Sequence, residues 1–191
     1  YRIGTVAQRM PPPEVSEVLI VDASDREKGV ERLLERLDLT DFRGARVALK
    51  ANYNSADPFP ASTHPVTLKA IVEALNSAGV TKIVLVERSG MGNTRRVLEE
   101  TGVFKLSNEH GFEVVVLDEL SSEGWIEIAP EGLHWVRGFK LPRIVTDAEK
   151  VVQTCCLKTH RFGGHFTMSL KNSVGVVARK DPSGFYDYMA E

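Results

Sequence analysis

Residues 64–87 read HPVTLKAIVEALNSAGVTKIVLVE. Pro65 suits a first helical turn, Ile71, Val72 and Leu75 recur on one face, and Gly79 stands just past the end, so the spacing predicts a helix with clear start and stop signals. The apolar run from Lys82 to Val86 comes next and reads as a buried strand. The same alternation extends in both directions. Upstream, Val18 to Val21 is a short apolar run that would open it as a strand. Asp25 to Leu37 carries Val30, Leu33, Leu34 and Leu37 at helical spacing, and Arg46 to Leu49 reads as a strand. Downstream, Thr94 to Glu100 is helical and stops at Gly102, Glu113 to Leu117 is a buried strand, Val151 to Thr154 returns to the sheet, and Met168 to Val177 reads as helical. Trp125 to Ile128 and Leu133 to Val136 form a less regular, antiparallel insertion. Strands separated by helices predict an α/β fold: one domain over residues 1–191, a mainly parallel sheet with helices on both faces, and a small irregular β insertion near 120–140.

Composition narrows the function. Among 191 residues, 24 Lys and Arg against 26 Asp and Glu give a net charge of −2, which argues against a general nucleic-acid or acidic-membrane surface. No apolar run reaches the ~18 residues of a membrane span, and residues 1–13 lack a secretory signal pattern. Cys155 and Cys156 are the two cysteines, too few for a disulfide framework. The expected setting is the cytoplasm. Charge is unevenly spread: His110 to Val136 holds six acids and no Lys or Arg, whereas Val151 to Lys180 holds Lys158, Arg161, Lys171, Arg179, Lys180 and two histidines with no acid. The second stretch predicts a locally positive pocket.

Three motifs come directly after predicted strands, where parallel sheets gather ligands. In the first, Ser89, Gly90, Gly92, Asn93 and Thr94 precede a helix. Its glycines and free N–H groups would suit an anion, with Arg95 and Arg96 either facing that anion or paired with acids such as Glu99 and Glu100. In the second, Lys50 and Asn52 alternate at a strand end, and His64 starts a helix whose dipole favours a neutral imidazole. The third is the densest. Lys158 and His160 alternate after a strand, Arg161 is next, Gly163 and Gly164 permit unusual backbone, Thr167 would cap the next helix, and Lys171 and Asn172 lie one turn into it. Two lysines without a nearby carboxylate suit a carboxylate or phosphate ligand, or a lysine of lowered pKa. His160 and His165 would chelate a divalent metal, but no third ligand has convincing spacing.

Val47-Ala48-Leu49-Lys50-Ala51-Asn52, Thr63-His64-Pro65, Leu157-Lys158-Thr159-His160 and Ser169-Leu170-Lys171-Asn172-Ser173-Val174-Gly175 resemble the signatures of the family labelled domain of unknown function 362, over roughly residues 45–180. The resemblance implies an amino-terminal piece of a longer domain, often accompanied by a ferredoxin-like iron–sulfur module or redox partner, although no iron–sulfur cysteine motif stands in this segment. A more distant similarity is to the catalytic domain of nickel-dependent lactate racemase, which also uses histidines and a lysine around a bound cofactor. The expected function is an enzyme, racemase- or isomerase-like or redox, acting on a small anionic substrate or phosphorylated cofactor. His64, His160, Lys158 and Lys171 would be catalytic; the other residues of the three motifs would bind. The alternatives are an iron–sulfur-associated redox accessory and a non-catalytic ligand-binding module. Oligomeric state stays open.

Overall fold

A computed structural model describes residues 17–132, 135–160, 165–181 and 184–190. The first helix is α1 (Arg26–Arg36), capped by the Asp25 side chain, which accepts from the Lys28 N–H. Then come β1 (Arg46–Lys50), α2 (Pro65–Ser77), β2 (Lys82–Glu87), α3 (Thr94–Glu100), α4 (Val103–His110) and β3 (Glu113–Val116). A hairpin of β4 (Trp125–Ile128) and β5 (Phe139–Pro142) leads to the single-turn α5 (Arg143–Thr146), then β6 (Lys150–Gln153) and the short α6 (Ser169–Ser173). The main sheet has the order β3-β2-β1-β6 with every pairing parallel, and the hairpin forms a separate antiparallel sheet. The α/β expectation therefore holds.

Alternation along the strands divides the core in two. Val47, Leu49, Ile83 and Leu85 face α2 and the α3–α4 pair through Leu68, Ile71, Val72, Leu75, Val97, Leu98 and Val103. Leu49, Leu68, Leu85 and Leu98 are fully buried, each stabilising the fold by about 2 kcal/mol. Val84 and Val86 face the other way, against Ile144, Val145, Val176 and Trp125. That second face is covered by α5, a 3-10 turn (Val174–Val176) and the hairpin rather than by long helices.

Three expectations need correction, and one helix was missed. Val18 to Val21 joins no sheet, and Val18 and Ile20 are exposed; four apolar residues alone do not specify which strand edge to join. Gly102 ends α3 as expected, but its left-handed backbone (φ +75°) turns the chain straight into α4, a helix that the sequence reading does not include. The partner of β4 is Phe139–Pro142, not residues 133–136, of which Leu133 and His134 lie outside the described residues. The segment 168–177 is helical for little more than a turn before tightening to 3-10, and Met168, not Thr167, is its N-cap, with no side-chain cap bond. No helix among the described residues is long and apolar enough to cross a membrane.

Candidate functional site

From β1 the chain builds outward through β2 to β3, then returns to place β6 on the other side of β1. The direction of winding thus reverses between β1 and β6, the place where parallel sheets open a crevice at their carboxyl ends. A cleft of about 140 Å³ lies there. Its lining includes Lys50 and Asn52 after β1, Glu87, Arg88 and Gly90 after β2, Cys155, Lys158 and His160 after β6, and Thr167, Lys171, Asn172 and Gly175 around α6.

The floor is a buried ion pair. Lys50 Nζ donates to Glu87 Oε1 at 2.6 Å, with both side chains almost wholly buried. It also donates to the Ala51 carbonyl and to Asn172 Oδ1 at 3.2 Å. Glu87 accepts further from the N–H groups of Tyr53 at 3.0 Å and Arg88 at 2.9 Å. Burial pushes the Glu87 carboxyl up, while Lys50 and the two N–H donors oppose that push. Asn172 Nδ2 reaches the Ala51 carbonyl at 3.2 Å and the Thr154 carbonyl at 3.4 Å, so this side chain latches α6 across the ends of β1 and β6. Lys50 and Asn172, expected as ligand contacts, are thus occupied in holding the cleft together. Asn52 lines it while bracing the loop, its Nδ2 donating to the Ala61 carbonyl at 3.1 Å and its N–H to Thr63 Oγ1 at 2.9 Å.

The walls carry positive charge. Lys158 is fixed by an isolated antiparallel bridge to Thr167, whose N–H donates to the Lys158 carbonyl at 2.7 Å. Partial desolvation, then the Lys158 ammonium, lowers the pKa of Lys171. Lys171 foremost, then desolvation and Lys158, pulls His160 below the ordinary histidine range. These three groups raise one another's electrostatic energy when charged. The one carboxylate among the described lining residues, Glu87, is already neutralised by Lys50. An anion in the cleft would relieve the repulsion.

The remaining predicted residues separate from this centre. His64 caps α2, its Nδ1 accepting from the Val66 N–H at 3.2 Å, as a neutral imidazole must; desolvation, then Arg26, lowers its pKa. It lines a different cavity, with Tyr53, Phe59 and Thr63, so the expected pairing with His160 around one ligand is not formed. In the loop from Ser89 to Thr94, the N–H groups of Ser89, Gly90 and Met91 are spent on protein acceptors. The Ser89 N–H donates to Thr94 Oγ1, the Gly90 N–H to Asn54 Oδ1, the Met91 N–H to the Asn54 carbonyl and the Arg96 N–H to Asn93 Oδ1. The Thr94 hydroxyl also contacts Asp118, while Arg95 pairs with Glu119 and Arg96 with Glu100. Gly92 stands exposed with φ +106°; of this loop, Gly90 reaches the cleft. Arg161 lies outside the described residues. His165 is exposed and not part of the lining, and no group of three or more His, Cys, Asp or Glu among the described residues could hold a metal ion.

Sequence reasoning missed Glu87, Arg88 and Gly175. A Cβ on Gly175 would stand 3.0 Å from Lys50 Cε, so this glycine lets the 3-10 turn after α6 close over the ion pair. The signal for the first two was two opposite charges ending an apolar strand.

The family model described as Domain of unknown function (DUF362) matches residues 47–190. No curated protein and no solved structure matches the chain.

Proposed function

The chain belongs to the DUF362 family, and we propose that it binds a small carboxylate- or phosphate-bearing ligand in the cleft between the ends of β1 and β6 and moves a proton on it with His160. The observation that carries this reading is the convergence of Lys158, Lys171 and His160 on a cleft whose described carboxylate is already paired. Lys158 and Lys171 supply charge-assisted hydrogen bonds to the anionic group. His160, whose imidazolium is disfavoured by Lys171 foremost, then by desolvation and Lys158, is the proton acceptor. At about 140 Å³ the cleft is well below the ~300–1,000 Å³ of drug-sized sites, which favours a phosphate or a carboxylate of a few carbons.

Calorimetric titration with inorganic phosphate and two- to four-carbon carboxylates tests the binding step. Lys158→Met and Lys171→Met should each weaken binding by about 10- to 100-fold, the range of a lost charged hydrogen bond. Unchanged affinity in both folded variants would overturn the assignment. Proton transfer is read separately, as incorporation of solvent deuterium next to the carboxylate of a bound ligand. His160→Ala should slow that exchange by about 10²–10⁴-fold with little change in Kd. Binding without exchange in the wild type would instead mark a ligand-holding or redox-accessory domain.

A further inference from the structure

Arg88 stands just after β2 and is 7% exposed. Its Nε donates to the Val177 carbonyl at 2.9 Å, and Nη2 donates to the Val174 carbonyl at 3.2 Å and to Met189 Sδ at 3.6 Å. Nη1 has no hydrogen-bond partner among the described residues, and no carboxylate there forms an ion pair with this guanidinium. Nη1 is not among the fully buried unpartnered polar atoms, so water or an anion can reach this pair of donors. Burial lowers the pKa of Arg88, against the pull of Asp118.

Arg88 lines the cleft on one side and a second cavity on the other. That cavity measures about 480 Å³ and lies at the carboxyl ends of β2 and β3, inside the size range of organic-ligand sites. Its lining combines the apolar Leu117, Leu120 and Trp125 with Lys140 and residues 178–181. Most charges there are engaged: Lys140 pairs with Glu127 at 2.9 Å, Asp118 contacts the Thr94 hydroxyl and Asp181 accepts from the Tyr186 N–H at 3.0 Å. Arg179 is held more loosely, 3.6 Å from Asp187. Lys180 forms no ion pair with any described carboxylate. The cavity thus combines apolar side chains with Arg88 and Lys180, which form no ion pair with a described carboxylate although Asp118 and Asp181 also line it.

We propose that this cavity is a second binding site, for a small organic anion with a flat apolar body: Arg88 and Lys180 take the charged group, and Leu117, Leu120 and Trp125 take the body. The ligand differs from that of the cleft in requiring both parts. Inorganic phosphate would lack the body, and a neutral arene would lack the anchor.

The test uses para-fluorobenzoate as probe, monitored by fluorine NMR and by tryptophan emission in a Trp135→Phe background, where Trp125 is the one tryptophan left. Saturable broadening of the fluorine signal should coincide with a change in Trp125 emission. Para-fluorotoluene and inorganic phosphate should each produce that emission change about tenfold more weakly or not at all. Lys180→Ala should weaken the probe several-fold and Arg88→Lys about tenfold or more, as expected for loss of a charged hydrogen bond. Lys171→Met should leave the probe's affinity intact, which separates this site from the cleft. An emission response equal for the neutral arene, or probe binding insensitive to Lys180→Ala, would overturn the proposal even if Arg88→Lys fails to fold.

Discussion

The charge state of His160 depends on its neighbours. Lys171, then desolvation and Lys158, disfavour the imidazolium, and a bound anion would oppose that preference. The ligand-bound form then holds more protons than the free form, so affinity must rise as pH falls through the window between the two pKa values. Sulfate, which does not titrate here, should bind about three- to tenfold more tightly near pH 5 than near pH 7.5, the size of one added cation at short range in a solvated cleft. His160→Gln should flatten the profile; isothermal titration at several pH values reads it. At the same scale, Gly175→Ala sets a Cβ 3.0 Å from Lys50 Cε. Lys50 cannot withdraw without stretching its 2.6 Å contact with Glu87. A destabilisation of about 1–3 kcal/mol should appear in urea denaturation, as for other overpacked sites.

At the scale of elements, β1 is locked to the approach to β6 by side chain as well as ladder. The Arg46 guanidinium donates to both Glu149 carboxylate oxygens and to the Asp147 carbonyl, and the Arg46 N–H also donates to Glu149. These bonds hold the Glu149 carboxyl at about 2, below its ordinary 4.5. A carboxyl depressed by folding stabilises above its unfolded pKa and loses that contribution as pH falls through its folded one. Glu149→Gln should therefore lower Tm at pH 6, with the difference from wild type closing between about pH 4.5 and pH 2; melting curves across that range check it. Legibility also divides by element. Residues 65–87 are readable because cap, apolar face and stop agree with one another. The α3–α4 turn is not, because Gly102 ends one helix and starts the next with the same positive φ, and a glycine by itself does not specify the next element. The hairpin partner escapes sequence reading for a related reason: residues 133–136 and 139–142 are both apolar enough for β4, and the register is set in three dimensions.

For the whole molecule, the parallel order of the sheet brings Lys50, Glu87 and Asn172 together from sequence positions far apart, and no local pattern announces that meeting. The third motif is legible as a positive cluster because its charges are close in sequence. The consumption of Lys50, by contrast, depends on β1 and β2 being neighbours and on α6 folding over both. The same tertiary fact sends His64 to another cavity although it stands only fourteen positions after Lys50. The ion pair thus ties β1, β2 and α6 at the floor of the site, and its energetics can be separated from its chemistry. Lys50→Met leaves the buried Glu87 carboxylate with two backbone N–H donors and no counter-ion, which should cost about 3–5 kcal/mol, the loss expected when one partner of a buried pair is removed. Adding Glu87→Gln removes the stranded charge while keeping a side-chain oxygen for those N–H groups, so Lys50→Met/Glu87→Gln should recover most of that loss. Urea unfolding of the two variants decides the matter: a double variant no more stable than Lys50→Met would mean that packing of the lysine stem beneath Gly175, rather than charge balance, holds this end of the sheet.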